Sequence, residues 1–131
     1  MDEISKNILD TVLIGALATV NRDGNPLITP LHFARMEDYI IWITDKNSQH
    51  SKNTEKGERV EFSVWNDQKQ AVYINSIVEK ITENELEKAE ICYKNKLADF
   101  KPNLKNPAYY KVKIGIPDEK YERGIWQHYI S

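Results

Sequence analysis

Apolar residues recur along the chain in two periods, and the switches between them predict the elements. Behind Asp2, a residue suited to cap a helix, Ile4, Ile8, Leu9 and Val12 fall on one helical face and predict a short N-terminal helix. Residues 13–21 read as a strand, small and apolar through Gly15, Ala16, Ala18 and Val20. Asp23-Gly24-Asn25 is a turn signal, and a second strand runs over 27–35. Pro30 inside it lacks an N–H and marks an edge, a bulge or a place where something other than a strand pairs. After a turn at Glu37-Asp38, residues 39–44 are apolar on both faces and predict a fully buried strand.

Residues 47–56 are polar, begin with cap-forming residues and predict one or two helical turns. Val60, Phe62 and Val64 alternate with Glu61, Ser63 and Trp65 as a fourth strand, and residues 71–81 give a fifth. Thr82 and Glu85 match a capping box. Leu86, Ala89, Tyr93, Leu97 and Phe100 then make the apolar face of a helix that Pro102 ends. Tyr110, Val112, Ile114 and Ile116 alternate with Tyr109, Lys111 and Lys113 as a sixth strand. Asp118-Glu119 turns the chain into a last strand over 121–130. Short turns imply mostly antiparallel pairing. Six to seven strands in so short a chain predict a mainly β barrel or sandwich with helices flanking its openings.

Composition narrows this little. The 131 residues fit one domain spanning 1–131, and 40% hydrophobic with 29% charged residues is an ordinary globular balance. A net charge of −2 argues against a general nucleic-acid binder. The longest apolar run, 39–43, is too short to span a membrane. The acidic start Met1-Asp2-Glu3 does not resemble a secretory signal. One cysteine, Cys92, allows no internal disulfide and no paired-thiolate metal site, and suits a reducing cytoplasm.

The candidate chemistry concentrates in one segment, Thr44-Asp45-Lys46-Asn47-Ser48-Gln49-His50-Ser51-Lys52-Asn53. A buried strand ends there and a short helix begins. Unpaired N–H groups at that start, the hydroxyls of Ser48 and Ser51, a His50 ring nitrogen and the Lys52 ammonium together suit a phosphate. A capped surface helix with solvated charges is the competing reading. Elsewhere the residues read as structural. His32, His50 and His128 are too scattered for a metal site. Trp42 and Trp65 read as core or interface anchors, and Cys92 as a packed residue. The five glycines spell neither a dinucleotide fingerprint nor a P-loop, and no nucleophile–base pattern for a hydrolase stands out.

The ordered run Ala18-Thr19-Val20, Asp23-Gly24-Asn25-Pro26, Thr29-Pro30-Leu31, Ile41-Trp42-Ile43-Thr44, Ser48-Gln49-His50-Ser51-Lys52-Asn53 and Arg59-Val60 resembles the pyridoxamine 5′-phosphate oxidase-like family, over roughly the first half of the chain. The resemblance implies a split β-barrel binding FMN non-covalently. It implies a homodimer with the cofactor at the interface, acting as an oxidoreductase on a small-molecule redox substrate. In that family the flavin phosphate sits at the turn matched here by Ser48, Gln49, His50 and Lys52. The ring lies along the backbone matched by Thr29, Pro30 and Leu31, and Thr44 matches a position near the ribityl chain. Trp126 and His128 on the last strand would approach the partner's flavin.

Two places depart from the family pattern. Gln49 and His50 stand where Arg-Lys often follows the serine, which lowers the formal charge and admits a different ligand. Arg123 and His128 do not match the Arg-x-His spacing of the namesake oxidases, so the resemblance does not extend to that reaction. No catalytic residue is assigned; His128 is the nearest candidate for a proton donor. The same barrel holding a deazaflavin or haem is one alternative, and a non-enzymatic cofactor carrier, sensor or dimerisation module is another.

Overall fold

The computed structural model describes residues 1–98, 103–121 and 126–131, with residue 126 described in its backbone only. The elements run α1 (Glu3–Thr11), β1 (Ile14–Val20), β2 (Pro26–His32), β3 (Ala34–Met36), β4 (Tyr39–Asp45), α2 (Gln49–Lys52), β5 (Arg59–Trp65), β6 (Ala71–Lys80), α3 (Glu83–Lys96), β7 (Pro107–Lys113), β8 (Ile116–Pro117) and β9 (Trp126–Ile130). Among the described residues, seven strands pair antiparallel in the order β2-β1-β5-β6-β7-β4-β3 and curl into a half-barrel. The mainly β, antiparallel split barrel expected from the sequence is the fold observed.

Two expected strand boundaries moved, and the last strand runs in a direction that the short turns did not imply. The strand expected over 27–35 is two strands, because Phe33 turns into the core, fully buried, and the chain changes partners there. β2 pairs β1, whereas β3 pairs β4. The sixth strand stops before Gly115, whose φ of +80° ends the extended run, and Ile116 starts β8 outside the core. The last strand, β9, runs parallel to β6 and antiparallel to β8. The N-terminal helix also turns slightly from expectation. It packs along Ser5, Ile8, Leu9 and Val12, spaced i, i+3, i+4, i+7, which leaves Ile4 56% exposed. Asp2 caps it by accepting the Ser5 N–H at 2.7 Å. α3 ends at Lys96 with Leu97 as its C-cap, short of the end expected at Pro102; Ala89, Tyr93 and Leu97 are buried while Leu86 is exposed. Phe100 and Pro102 lie outside the described residues.

Two apolar clusters hold these layers. The barrel interior gathers Leu17, Ile40, Trp42, Val64, Ile74 and Val112 around Phe62. The Phe62 ring stacks on Trp42 at 5.7 Å between centroids and meets Phe33 edge-on at 5.3 Å. A second cluster lies outside the barrel, where α3 covers Ala34, Met36 and Ile41. β4 therefore contributes Ile40 and Trp42 inward and Ile41 outward, as its uniformly apolar sequence predicted. Two lysines tie α3 down. Lys111 on β7 pairs with Glu85 at 2.6 Å. Lys96 donates to the Leu9 carbonyl at 2.9 Å and lies 3.5 Å from the centre of the Phe33 ring, and burial pushes its ammonium down to about 8.

Gly15 sets how closely β1 crosses this interior. A Cβ there would stand 2.6 Å from two Phe62 ring atoms and 3.1 Å from the Ser63 carbonyl. The ring is wedged between Trp42 and Phe33 and has nowhere to retreat. Gly15→Ala should therefore destabilise the fold by roughly 1–3 kcal/mol through overpacking, read as a lower urea midpoint at unchanged slope. An unchanged midpoint would mean that β1 can move off Phe62.

Candidate functional site

The strand pairing itself creates the site. β3 pairs only with the first part of β4, from Ala34 opposite Ile41 to Met36 opposite Tyr39. β2, the continuation of the same chain on the other side of Phe33, pairs among the described residues with β1 alone. From Trp42 to Asp45, β4 keeps β7 on one side and, among the described residues, has no strand ladder on the other, although β2 runs close by. This is the split of the barrel. Its two lips are β2, carrying Thr29, Pro30 and Leu31, and the end of β4, carrying Thr44. The pairing register runs unbroken through Pro30, opposite Ala16, so its missing N–H falls on the open side of the strand.

At the end of the β4 lip the chain tightens into α2. Asp45 starts the turn: its side chain accepts the Asn47 N–H at 2.8 Å and its carbonyl accepts the Ser48 N–H at 3.1 Å. Ser48 caps α2 by accepting the Ser51 N–H at 3.3 Å and donates its own hydroxyl to Ser51 Oγ at 2.8 Å. Ser51 passes the chain of bonds to the Asp45 carbonyl at 2.9 Å. The first N–H groups of any helix have no carbonyl one turn back. Those of Gln49 and His50 have no acceptor among the described residues.

His50 is the brace between lip and turn. Its Nε2 lies 2.9 Å from Thr44 Oγ1 and 3.2 Å from Ser48 Oγ. With the Ser48 hydroxyl already donating to Ser51, the contact to Ser48 assigns the proton to Nε2. Burial pushes the imidazole below its ordinary value, so the ring is neutral and adds a donor rather than a charge.

The outer side of α2 faces the β1–β2 turn across a cleft of about 740 Å³. Gln49, Lys52 and Lys56 line it from the α2 side, Asn21 and Arg22 from the turn. Asn53 is the tie between the two walls: its amide donates to Thr19 Oγ1 at 3.0 Å and to Asn21 Oδ1 at 2.8 Å. The Gln49 amide donates in turn to Asn53 Oδ1 at 2.8 Å.

Of the residues singled out from sequence, Thr44, Ser48 and His50 form one hydrogen-bonded cluster, with Gln49 and Lys52 on the cleft side of the same turn. Thr29, Pro30 and Leu31 sit on the opposite lip. Trp126 pairs with Ala71 in β9, and its side chain, like Arg123, lies outside the described residues. His128 stands on the outer face, stacked between Tyr73 at 4.5 Å and Tyr121 at 3.8 Å. Sequence reasoning missed Arg22 and gave Asn53, at the end of the candidate segment, no role. The Asp23-Gly24 hairpin signal marks the tip that carries Arg22, but nothing local says that this tip faces α2.

A family model described as pyridoxamine 5′-phosphate oxidase matches residues 1–114. Among solved structures, an F420 reductase aligns at a TM-score of 0.69 and 18% identity, over 86% of this chain and 94% of its own. A haem-binding protein from Mycobacterium smegmatis aligns at 0.71 and 15% identity, over 84% and 49%. An FAD-binding protein from Mesorhizobium loti aligns at 0.66 and 14%, over 86% and 89%. The chain spans about half the length of the haem-binding protein and of a further neighbour from Agrobacterium tumefaciens. At these identities the likeness establishes the fold. No protein of curated function matches the sequence. No helix among the described residues is long and apolar enough to cross a membrane.

The depressed His50 value fixes the sign of a pH effect. The folded state resists protonating this ring, so its contribution is full above the ordinary histidine value of 6.5 and is lost as pH falls below it. Asp2 and Glu85, also lowered, act only below the ordinary carboxylate range. Thermal unfolding should show a midpoint that drops on acidification from about pH 7.5 to about pH 5, and drops less in His50→Asn. Parallel curves for the two proteins would show that the ring titrates freely.

Proposed function

The chain belongs to the pyridoxamine 5′-phosphate oxidase family, and from that premise we propose that it is a flavoprotein holding FMN non-covalently in the split, as an oxidoreductase. The observation that carries the reading is the α2 turn at the end of the β4 lip. There, two backbone N–H groups lie on the same short helix as Lys52, and neither they nor the Lys52 ammonium has a partner among the described residues. That donor set fits a phosphate dianion. Lys52 supplies the charge, Ser48 and the neutral His50 hold the turn in shape, and Thr44 stands toward the ribityl chain. Thr29, Pro30 and Leu31 form the facing lip, where the Pro30 carbonyl on the open side of β2 is suited to accept from the polar edge of a flat ring. When bound, the flavin supplies the hydride or electron transfer; the protein supplies binding, orientation and exclusion of water.

The same reading includes a homodimer with the cofactor at its interface. The outer face of β2 and β1, continued by Trp65 at the end of β5, is apolar where a soluble sheet is normally polar: Ile28 is 68% exposed and Trp65 55%, with Ile14 and Val20 on the same face. A second copy covering that face would bring its β9, with Trp126 and His128, toward the split, through which a small redox substrate would reach the ring.

Protein purified as expressed, or mixed with FMN, should show the flavin's absorption in the blue and release FMN on heating. A colourless protein that takes up no FMN overturns the reading, and a Soret band moves it to haem. Lys52→Ala should weaken FMN by roughly 1–3 kcal/mol in a fluorescence titration; equal affinity would put the phosphate elsewhere. Sedimentation should give a dimer for the parent and a monomer for Trp65→Glu, whereas a persisting dimer would assign the interface to another face.

A further inference from the structure

We propose that Asn53 is the positioning residue of the phosphate turn, clamping α2 to the end of β1, and that Gln49 belongs to this clamp rather than to the ligands. The assignment rests on the flavin reading above and deepens it, by naming what holds the donors of the turn in place.

α2 has four residues, Gln49–Lys52. A helix of about one turn makes too few bonds of its own to persist in water. Its N–H groups keep one direction only if other elements fix it. Ser48 and Ser51 fix its start to the Asp45 carbonyl. Asn53 fixes its end. This residue is the C-cap of α2, and its backbone N–H bonds back to the Gln49 carbonyl at 2.9 Å. Its side chain crosses to another element. One amide hydrogen goes to Thr19 Oγ1 at 3.0 Å and the other to Asn21 Oδ1 at 2.8 Å. Thr19 is buried, so a bond lost there is not readily replaced by water.

The third position of the same amide reaches the start of the helix. Asn53 Oδ1 accepts from the Gln49 amide at 2.8 Å, across a spacing of four residues that places the two side chains on one helical face. Both donors and the acceptor oxygen of Asn53 are thus engaged. The bond also fixes what Gln49 can do. An arginine at this position would add a charge, whereas Gln49 is neutral and lies along α2 against Asn53. What it offers an anion is its backbone N–H, aimed by the anchorage of its own side chain. Donors held in place beforehand lose less freedom when a ligand arrives.

Fluorescence titrations of the full chain with FMN and with riboflavin isolate the phosphate, as the ratio of the two affinities. The parent should prefer FMN by about tenfold or more. Asn53→Ala should cut that preference by about fivefold or more while riboflavin affinity stays within about twofold of the parent. Gln49→Ala should cut it by about threefold, and the double variant should match Asn53→Ala, because the two side chains act through one bond. Asn21→Ala removes an acceptor on the hairpin without touching α2 and should cut the preference by about twofold to threefold, which keeps the proposal open to test if Asn53→Ala does not fold. A double variant whose loss is the product of the two single losses makes Gln49 a direct ligand and overturns the proposal. An unchanged preference in Asn53→Ala, or in Asn21→Ala where the former does not fold, overturns it too. So does an equal fall in FMN and riboflavin affinity, which marks a role in the fold alone. Each of these outcomes leaves the flavin reading standing. A parent that binds neither compound, or both equally, overturns that reading together with the clamp.

Discussion

Strand β4 has no solvent-facing side, and the rest of the architecture is arranged around that fact. Inward, Trp42 stacks on Phe62 and so fixes how β5 and β1 curl over the interior. Outward, Ile41 lies under α3, which is why a helix with a weakly apolar face still docks in one place. A strand buried on both faces exchanges nearly all of its backbone freedom for packing, and it can end only where polar partners are waiting. At Thr44 they are: the strand gives way to a compact run of hydroxyls, an imidazole and free N–H groups. The candidate site is thus the termination of the most constrained element in the fold, which gives it a rigid base.

The sequence announced β4 clearly because burial on two faces leaves an unbroken apolar run from Tyr39 to Ile43, whatever the strand's neighbours are. The β1–β2 turn was equally legible from Asp23-Gly24, as was the α3 start from Thr82 and Glu85, since each depends on residues a few positions apart. The corner at Phe33 was not. Its periodicity continues that of β2, and only the competition between β1 and β4 for the same stretch of chain decides where pairing changes hands. The parallel direction of β9 was hidden for the same reason, since it depends on which edge of β6 remains free. At the site, the contiguous residues from Thr44 to Lys52 could be read together, whereas Arg22 enters from a hairpin tip whose direction only the folded sheet determines.

Electrostatics at the turn follow from burial more than from formal charge. An arginine in place of Gln49 would carry its charge regardless of setting, but the imidazole at position 50 is neutral where it stands. The structure compensates by position: Lys52 sits on the cleft side of the same helical turn, and Asn53 ties that turn to the end of β1. The Asn53 amide thus links α2 directly to the end of β1 and the start of the β1–β2 turn.

One consequence of β2 concerns the life of the protein before anything binds. An open strand edge beside an apolar face is the usual template on which partly folded chains add to one another and aggregate. β2 carries Pro26 and Pro30 at two of its seven positions, and a ladder that would continue outward from it lacks a donor at each. A second β-strand therefore meets a broken row of partners, while a small ligand that needs only one or two backbone groups meets no such obstacle. The prolines keep the edge available to a ligand by denying it to another chain.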